Sequence, residues 1–318
     1  MYDFASMALC YERNASMSVR DGLSAAANGV PLLNASGCLD ALTAPDVARS
    51  LDAFVTKTVT PLPREGNPPP RIAEADGWML NSIGLQNPGI DGWCADSLPA
   101  LRALEVPLWV SIGGFSASDY ALVCERLDEI EPVETIELNL SCPNVDEAPE
   151  SSAELVAAAR RATAKPLFAK LSPSLPDIAE AARAVADAGA DGLSLVNTVR
   201  GLALDPETLR PRLALGSGGA SGPALRMLSL HCVHACARAV DLPIVGMGGV
   251  TSGRDALELV AAGASAVALG TVLFAEPMAP VRIRAELAAE FAARGCASAA
   301  ELRGAAHESA FSALPSAN

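Results

Sequence analysis

Eight short apolar runs punctuate the chain, each ending in a polar residue or followed at once by one or by glycine. They are Pro31–Asn34, Ala53–Thr58, Leu108–Ile112, Thr135–Asn139, Leu167–Lys170, Gly192–Asn197, Ile244–Met247 and Ala266–Leu269. Between most of them lie alanine-rich amphipathic segments: Ser116–Ile130, Ser151–Thr163, Leu175–Ala188, Pro223–Val240 and Gly253–Ala262. A strand that is apolar on both faces must be covered on both faces, so this alternation predicts a parallel sheet wrapped by helical crossovers. Eight such units favour closure, which makes the expected fold class α/β, a (β/α)₈ TIM barrel. Such barrels run to about 250 residues or more as one domain, so a chain of 318 residues needs no second one.

Smaller signals agree. Ser151 with Glu154 three residues on is a capping-box pattern, and Gly189 and Gly263 fall where helices should stop. AGADGLSL and AGASAVAL, in the sixth and eighth units, repeat one helix end, turn and buried strand. Residues 1–30 carry little pattern and are expected to form an N-terminal extension or cap, residues 31–307 the barrel, and residues 308–318 a C-terminal tail. Long loop insertions follow the second strand (residues 59–91, proline-rich) and the sixth (residues 198–222). Loops after the strands build the active site of this fold, so insertions there point to function.

The net charge of −14 disfavours nucleic acid and anionic membranes as partners. No apolar run reaches the ~18 residues of a membrane span, and the first residues lack the basic-then-apolar pattern of a signal peptide. The eight cysteines are scattered through apolar or helical stretches, which suits free thiols in a reducing cytoplasm. His231, Cys232, His234 and Cys236 crowd one predicted helix but do not share a face, so no metal site is expected there; His307 has no evident partner.

The strongest local signal is IELNLSCPNV, residues 136–145. A buried strand (Ile136, Leu138, Leu140) delivers Asn139 and Cys142 to the catalytic rim, Pro143 stops it, and Asn144 follows. Cys142 reads either as a small buried hydrophobe or as a thiol whose surroundings make it a useful base. Lys57 and Lys170 end the second and fifth strands. At that position Lys57 is a solvated charge or an anion ligand, and Lys170 a cofactor partner or the Schiff-base lysine of an aldolase. GMGGV and LGT end the seventh and eighth strands, where barrels of this kind often hold a phosphate, although glycine turns are common for other reasons. Asn81, Asn139, Asn144 and Asn197 fall on loop-facing positions; each is a turn residue taken singly, and each amide can both donate and accept a hydrogen bond.

These motifs resemble those of the class 1 dihydroorotate dehydrogenases. ELNLSCPN is similar to the family signature, and TPLPREGNPPPRI followed by MLNSIGLQNPG is similar to its second-strand insertion. NASG, AKLSP, LVNT, GGASGPA, GMGGVTSGRDA and GASAVALGT follow in family order, from about Pro31 to His307. The resemblance implies FMN-dependent oxidation of (S)-dihydroorotate to orotate in pyrimidine biosynthesis, with Cys142 as base and Lys57 beside both flavin and substrate. It places Asn81, Ile83, Gly84, Leu85, Asn139, Asn144, Asn197 and Thr198 on the substrate. It places Ala35, Ser36, Lys57, Thr58, Asn139, Lys170, Val196, Ser221, Gly222, Gly248, Gly249, Gly270 and Thr271 on the FMN.

The NT dipeptide at Asn197–Thr198 and the SGGASGPA run are closer to the NAD-linked subgroup, whose catalytic subunit works with an iron–sulfur, FAD-containing partner; a homodimer or heterotetramer is implied. No CxxC ligand set for a cluster occurs in this chain. There are also departures. DEAPESSAEL after the signature is shorter and more acidic than the family's glycine-rich loop, which leaves open a related flavin oxidoreductase acting on another dihydropyrimidine or cyclic acid. Ser111 stands where relatives with the closest motifs often have asparagine for a flavin contact.

Overall fold

In the computed structural model, residues 29–140 and 151–308 are described. Cys142 and Asn144 lie outside the described residues, as do residues 1–28 of the expected N-terminal cap and 309–318 of the expected C-terminal tail. Eight parallel strands form the central sheet: β1 (Leu32–Asn34), β2 (Phe54–Val55), β5 (Leu108–Ile112), β6 (Val133–Asn139), β7 (Leu167–Leu171), β8 (Gly192–Leu195), β11 (Ile244–Met247) and β12 (Ala266–Leu269). The order runs β1-β12-β11-β8-β7-β6-β5-β2, and a parallel bridge from Leu33 to Ala53 joins the two ends. The chain is therefore a (β/α)₈ TIM barrel.

Closure at that seam depends on a side chain. β2 is short, and beyond the Leu33–Ala53 bridge the Asn34 amide takes over: its Nδ2 donates to the Val55 carbonyl (2.7 Å) and its Oδ1 accepts from the Val55 N–H (2.8 Å). An asparagine amide carries the same donor and acceptor as a peptide, so Asn34 supplies the missing rung.

The predicted helices are all present, slightly trimmed: Ala117–Asp128, Ser152–Ala162, Ile178–Asp187, Arg226–Ala239 and Gly253–Ala262. Caps set their starts. Ser116, Ser151, Asp177 and Ser252 each accept from the backbone N–H three residues on, and Ser151 with Glu154 forms the full capping box. The inward barrel layer (Leu33, Val55, Trp109, Phe168, Val245, Met247, Ala266, Ala268) is a separate core from the one between strands and helices. Trp109 and Phe168, with ring centroids 4.7 Å apart, fill the barrel and leave its carboxyl end for the site.

The two insertions are more ordered than loops. The first contains β3 (Ile72–Ala75) and β4 (Trp78–Asn81), the second β9 (Val199–Gly201) and β10 (Gly218–Ser221). They join as one antiparallel sheet, β3-β4-β10-β9, with Asn81 opposite Gly219 and Met79 opposite Ser221. Ala73, Leu80, Leu213 and Ala220 form a small core of their own beneath it.

His307 does have partners: its Nε2 lies 2.9 Å from the Ala262 carbonyl and its ring stacks on His234 at 4.6 Å. Sequence spacing hides both contacts because they join the last turn to helices well upstream. Cys232 and Cys236 are buried in the outer core, and no group of three or more metal-ligating side chains occurs among the described residues.

Candidate active site

Strand ends and the two insertions enclose one large cavity of about 1120 Å³ at the carboxyl end of the barrel. Pockets for one small ligand usually span ~300–1,000 Å³, so this one has room for a cofactor and a substrate together. Every described residue that the resemblance assigns to substrate or flavin borders it.

From the first unit come Ala35 and Ser36, half-buried just past β1. Ser36 Oγ donates to the Thr56 carbonyl at 2.8 Å. From the second come Lys57 and Thr58, which lie where the chain leaves the regular ladder yet stays fixed by Thr56 N–H to the Trp109 carbonyl and Val59 N–H to the Ser111 carbonyl. The Lys57 stem runs over Gly37, whose φ is +77° and where a Cβ would stand 2.8 Å from Lys57 Cδ. A residue without a side chain is needed there for Lys57 to reach the cavity.

Beside Thr58 begins a wall of amides. Asn139, at the end of β6, donates through Nδ2 to Thr58 Oγ1 (3.3 Å) and accepts at Oδ1 from Asn197 Nδ2 (3.0 Å). The side-chain Oδ1 of Asn197 in turn accepts from the Thr198 N–H (2.8 Å). Asn81, at the end of β4, donates to the Gly219 carbonyl (3.3 Å). Val196 is buried behind Asn197. Ile83, Gly84 and Leu85 follow β4 and supply backbone and an apolar edge.

The cavity is also lined by a glycine cup. Gly248 (φ +116°) and Gly249 (φ +78°) follow β11, and Gly270 and Thr271 follow β12. A Cβ at Gly249 would come within 2.6 Å of the Arg226 backbone nitrogen, so the backbone there is exposed to the cavity because no side chain fits. Thr271 Oγ1 donates to Ser221 Oγ at 2.9 Å, tying the cup to β10; Gly222 is buried next to it.

Lys170 stands one residue before the end of β7, inside the barrel, with only 7% of its side chain exposed, and its Nζ lies 3.4 Å from Glu137 Oε1. Sequence reading passes over Glu137, although it shares inward parity with Asn139 on the same strand. Cys38 packs against the core between strands and helices. It also borders the cavity, where burial pushes its thiol up against the opposing pull of Lys170 and Lys57. Ser111 is fully buried, and its Oγ meets Thr58 Oγ1 at 3.2 Å. The hydroxyl thus supports a lining residue from behind.

A glycine cup, a polar amide wall, one cationic reach from each of two strand ends and room for two ligands suit redox or acid–base chemistry on a planar polar molecule. Comparison with known proteins agrees. The family model described as dihydroorotate dehydrogenase matches residues 26–291. The chain is similar to the protein of Pelobacter propionicus named dihydroorotate dehydrogenase B (NAD(+)), catalytic subunit, at 45% identity over 262 residues, covering 80% of this chain and 86% of that one. Proteins of the same name from Geobacillus kaustophilus (42% identity, 81% and 86% covered) and Listeria monocytogenes (40%, 86% and 93%) are also similar.

Proposed function

Because the chain belongs to the dihydroorotate dehydrogenase family, we propose that it oxidises (S)-dihydroorotate to orotate in pyrimidine biosynthesis, with FMN as its flavin. The observation that carries this reading is the single cavity joining Lys57 and the amide wall to the Gly248–Gly249 and Gly270–Thr271 cup. The cup fits a phosphate: at Gly248 and Gly249 the glycine backbone has positive φ and little or no room for a side chain, and the Thr271 hydroxyl lies on the same cavity. Ala35, Ser36, Thr58, Val196, Ser221 and Gly222 border the space a flavin ring then needs, and Lys170 offers a cation for its pyrimidine edge. When bound, FMN supplies the acceptor for the hydride that leaves C6 of the substrate.

The chain's own residues do the rest. Lys57 pairs with the substrate carboxylate. The amides of Asn81, Asn139, Asn144 and Asn197 and the Thr198 hydroxyl match the donors and acceptors around the ring, and the mutual bonds among Asn139, Asn197 and Thr198 fix which way each amide faces. Ile83, Gly84 and Leu85 wall the substrate from below. Cys142, as thiolate, takes the C5 proton. Loss of that proton and of the C6 hydride leaves the C5–C6 double bond of orotate. Pre-positioning the ring removes much of the entropic barrier, and a placed base contributes ~10²–10⁴-fold.

The relatives' name, catalytic subunit, denotes one component of a larger enzyme. For this chain the proposal extends to an iron–sulfur, FAD-containing partner reaching NAD, in a cytoplasmic assembly built on a homodimer or heterotetramer. No helix among the described residues is long and apolar enough to cross a membrane.

The test is anaerobic mixing of the purified, flavin-loaded protein with dihydroorotate. Wild type is expected to bleach its flavin rapidly and Cys142→Ser at least ~100-fold more slowly at neutral pH. Equal rates remove Cys142 from the reaction. A yellow protein that dihydroorotate leaves oxidised points to another dihydropyrimidine or cyclic acid, as the altered DEAPESSAEL segment suggests.

A further inference from the structure

The carboxylate of Glu137 sits where the barrel has least use for one. Its side chain is 2% exposed, on β6 beside Ser111 of β5 and Phe168 of β7, one layer beneath Asn139. Burying a carboxylate costs several kcal/mol, and a buried pair is often no more stabilising than well-packed apolar residues. Stability therefore does not explain its presence. What it does contact is Lys170, at 3.4 Å, on the neighbouring strand. Lys170 is itself in register with Asn139 on one side and Ser194 on the other, and the Ser194 hydroxyl is the buried side-chain group without a hydrogen-bond partner among the described residues. The ammonium thus has an anion below it and the cavity above it.

We propose that Glu137 is a positioning residue for Lys170, holding the ammonium at the cavity floor and offsetting part of the positive field it projects onto the flavin. An ammonium has three N–H donors. One is engaged downward by Glu137, so the others stay available to a ligand in the cavity. The contact is long for a charge-assisted hydrogen bond, which normally spans ~2.7–2.9 Å, so the pair orients the ammonium without saturating it. The anion behind the cation also tempers the stabilisation that Lys170 alone would give to a flavin that gains negative charge on reduction. Glu137 in this way sets how readily electrons leave the flavin again for the next acceptor. The inference rests on the proposed flavin site.

The test is the midpoint potential of the bound flavin, by equilibrium titration of wild type, Glu137→Gln and Glu137→Asp. Removing the carboxylate's charge while keeping its shape is expected to move the two-electron potential up. The reduced-to-oxidised ratio at a fixed ambient potential should rise at least tenfold, about 30 mV for a two-electron couple. Glu137→Asp keeps the charge and should bring the potential back toward wild type. A residue that merely supports the barrel would change stability and leave the potential where it was.

A yellow Glu137→Gln protein with an unchanged or lower potential overturns the inference and leaves the flavin site standing. A wild type that takes up no flavin overturns both. Should Glu137→Gln not accumulate as folded protein, the infrared difference spectrum of the wild-type holoprotein on flavin reduction decides. A carboxylate band that shifts on reduction, and moves when Glu137→Asp is measured, is expected. A spectrum without a carboxylate change overturns the inference.

Discussion

The phenol of Tyr120 donates a 2.6 Å hydrogen bond to the backbone carbonyl of Asn139. Tyr120 is 1% exposed on the helix Ala117–Asp128, so an outer helix reaches through the barrel wall to the strand end that carries the amide wall and precedes Cys142. Removing the hydroxyl leaves the half-buried carbonyl without that donor. Tyr120→Phe is expected to lower stability by about 1–3 kcal/mol in urea titration and to slow flavin bleaching by dihydroorotate. Wild-type values for both would separate Tyr120 from the site.

Asn34 makes a prediction about the barrel itself. Asn34→Leu keeps the branched shape and the number of side-chain heavy atoms yet leaves the Val55 N–H and carbonyl without the partners that join β1 to β2. Each orphaned group costs ~1–3 kcal/mol, so a drop of several kcal/mol in unfolding free energy is expected. A change below about 1 kcal/mol contradicts the role of Asn34 as a rung of the seam.

The cup should be intolerant of a methyl group. Gly249→Ala forces a Cβ into a position 2.6 Å from the Arg226 nitrogen at a φ of +78°. Titration of apoprotein with FMN should show at least tenfold weaker binding, with the protein still folded by circular dichroism. Unchanged affinity removes this backbone from the cofactor site.

Asp255 predicts an acid limb. Burial raises its carboxyl, but hydrogen bonds from Thr251 and the Arg226 guanidinium prevail and hold it below the ordinary value of 3.8. A depressed carboxylate stabilises the fold above its unfolded pKa, and that contribution vanishes as pH falls through the folded value. Wild type should therefore lose stability between about pH 5 and pH 3 more steeply than Asp255→Asn. Parallel curves from denaturant titration at each pH would count against it.

Most of the barrel is legible in the sequence for a simple reason. Its strands are covered on both faces, so they appear as unbroken apolar runs, and its helices announce themselves by caps such as Ser151 with Glu154. The strand of the second unit is the exception: Ala53–Thr58 reads as one strand, whereas only Phe54–Val55 keeps ladder form and the rest bends to present Lys57. The pairing of β4 with β10 is not legible, because Asn81 and Gly219 are 138 residues apart and these strands carry too little apolar surface to betray a partner.

Within the cavity, residues at strand ends are found by motif, but those acting from beneath are not. Glu137 follows from alternation once Asn139 is known to point inward. Tyr120 and Cys38 follow from nothing local. The expected base, Cys142, and Asn144 lie outside the described residues.

The shared sheet of β3, β4, β10 and β9 ties the second unit to the sixth across the mouth of the barrel. Chimeras that graft either insertion from a cousin without its mate strand a hydrogen-bonding edge in water and invite aggregation. The two segments should consequently be inherited, and engineered, as a pair.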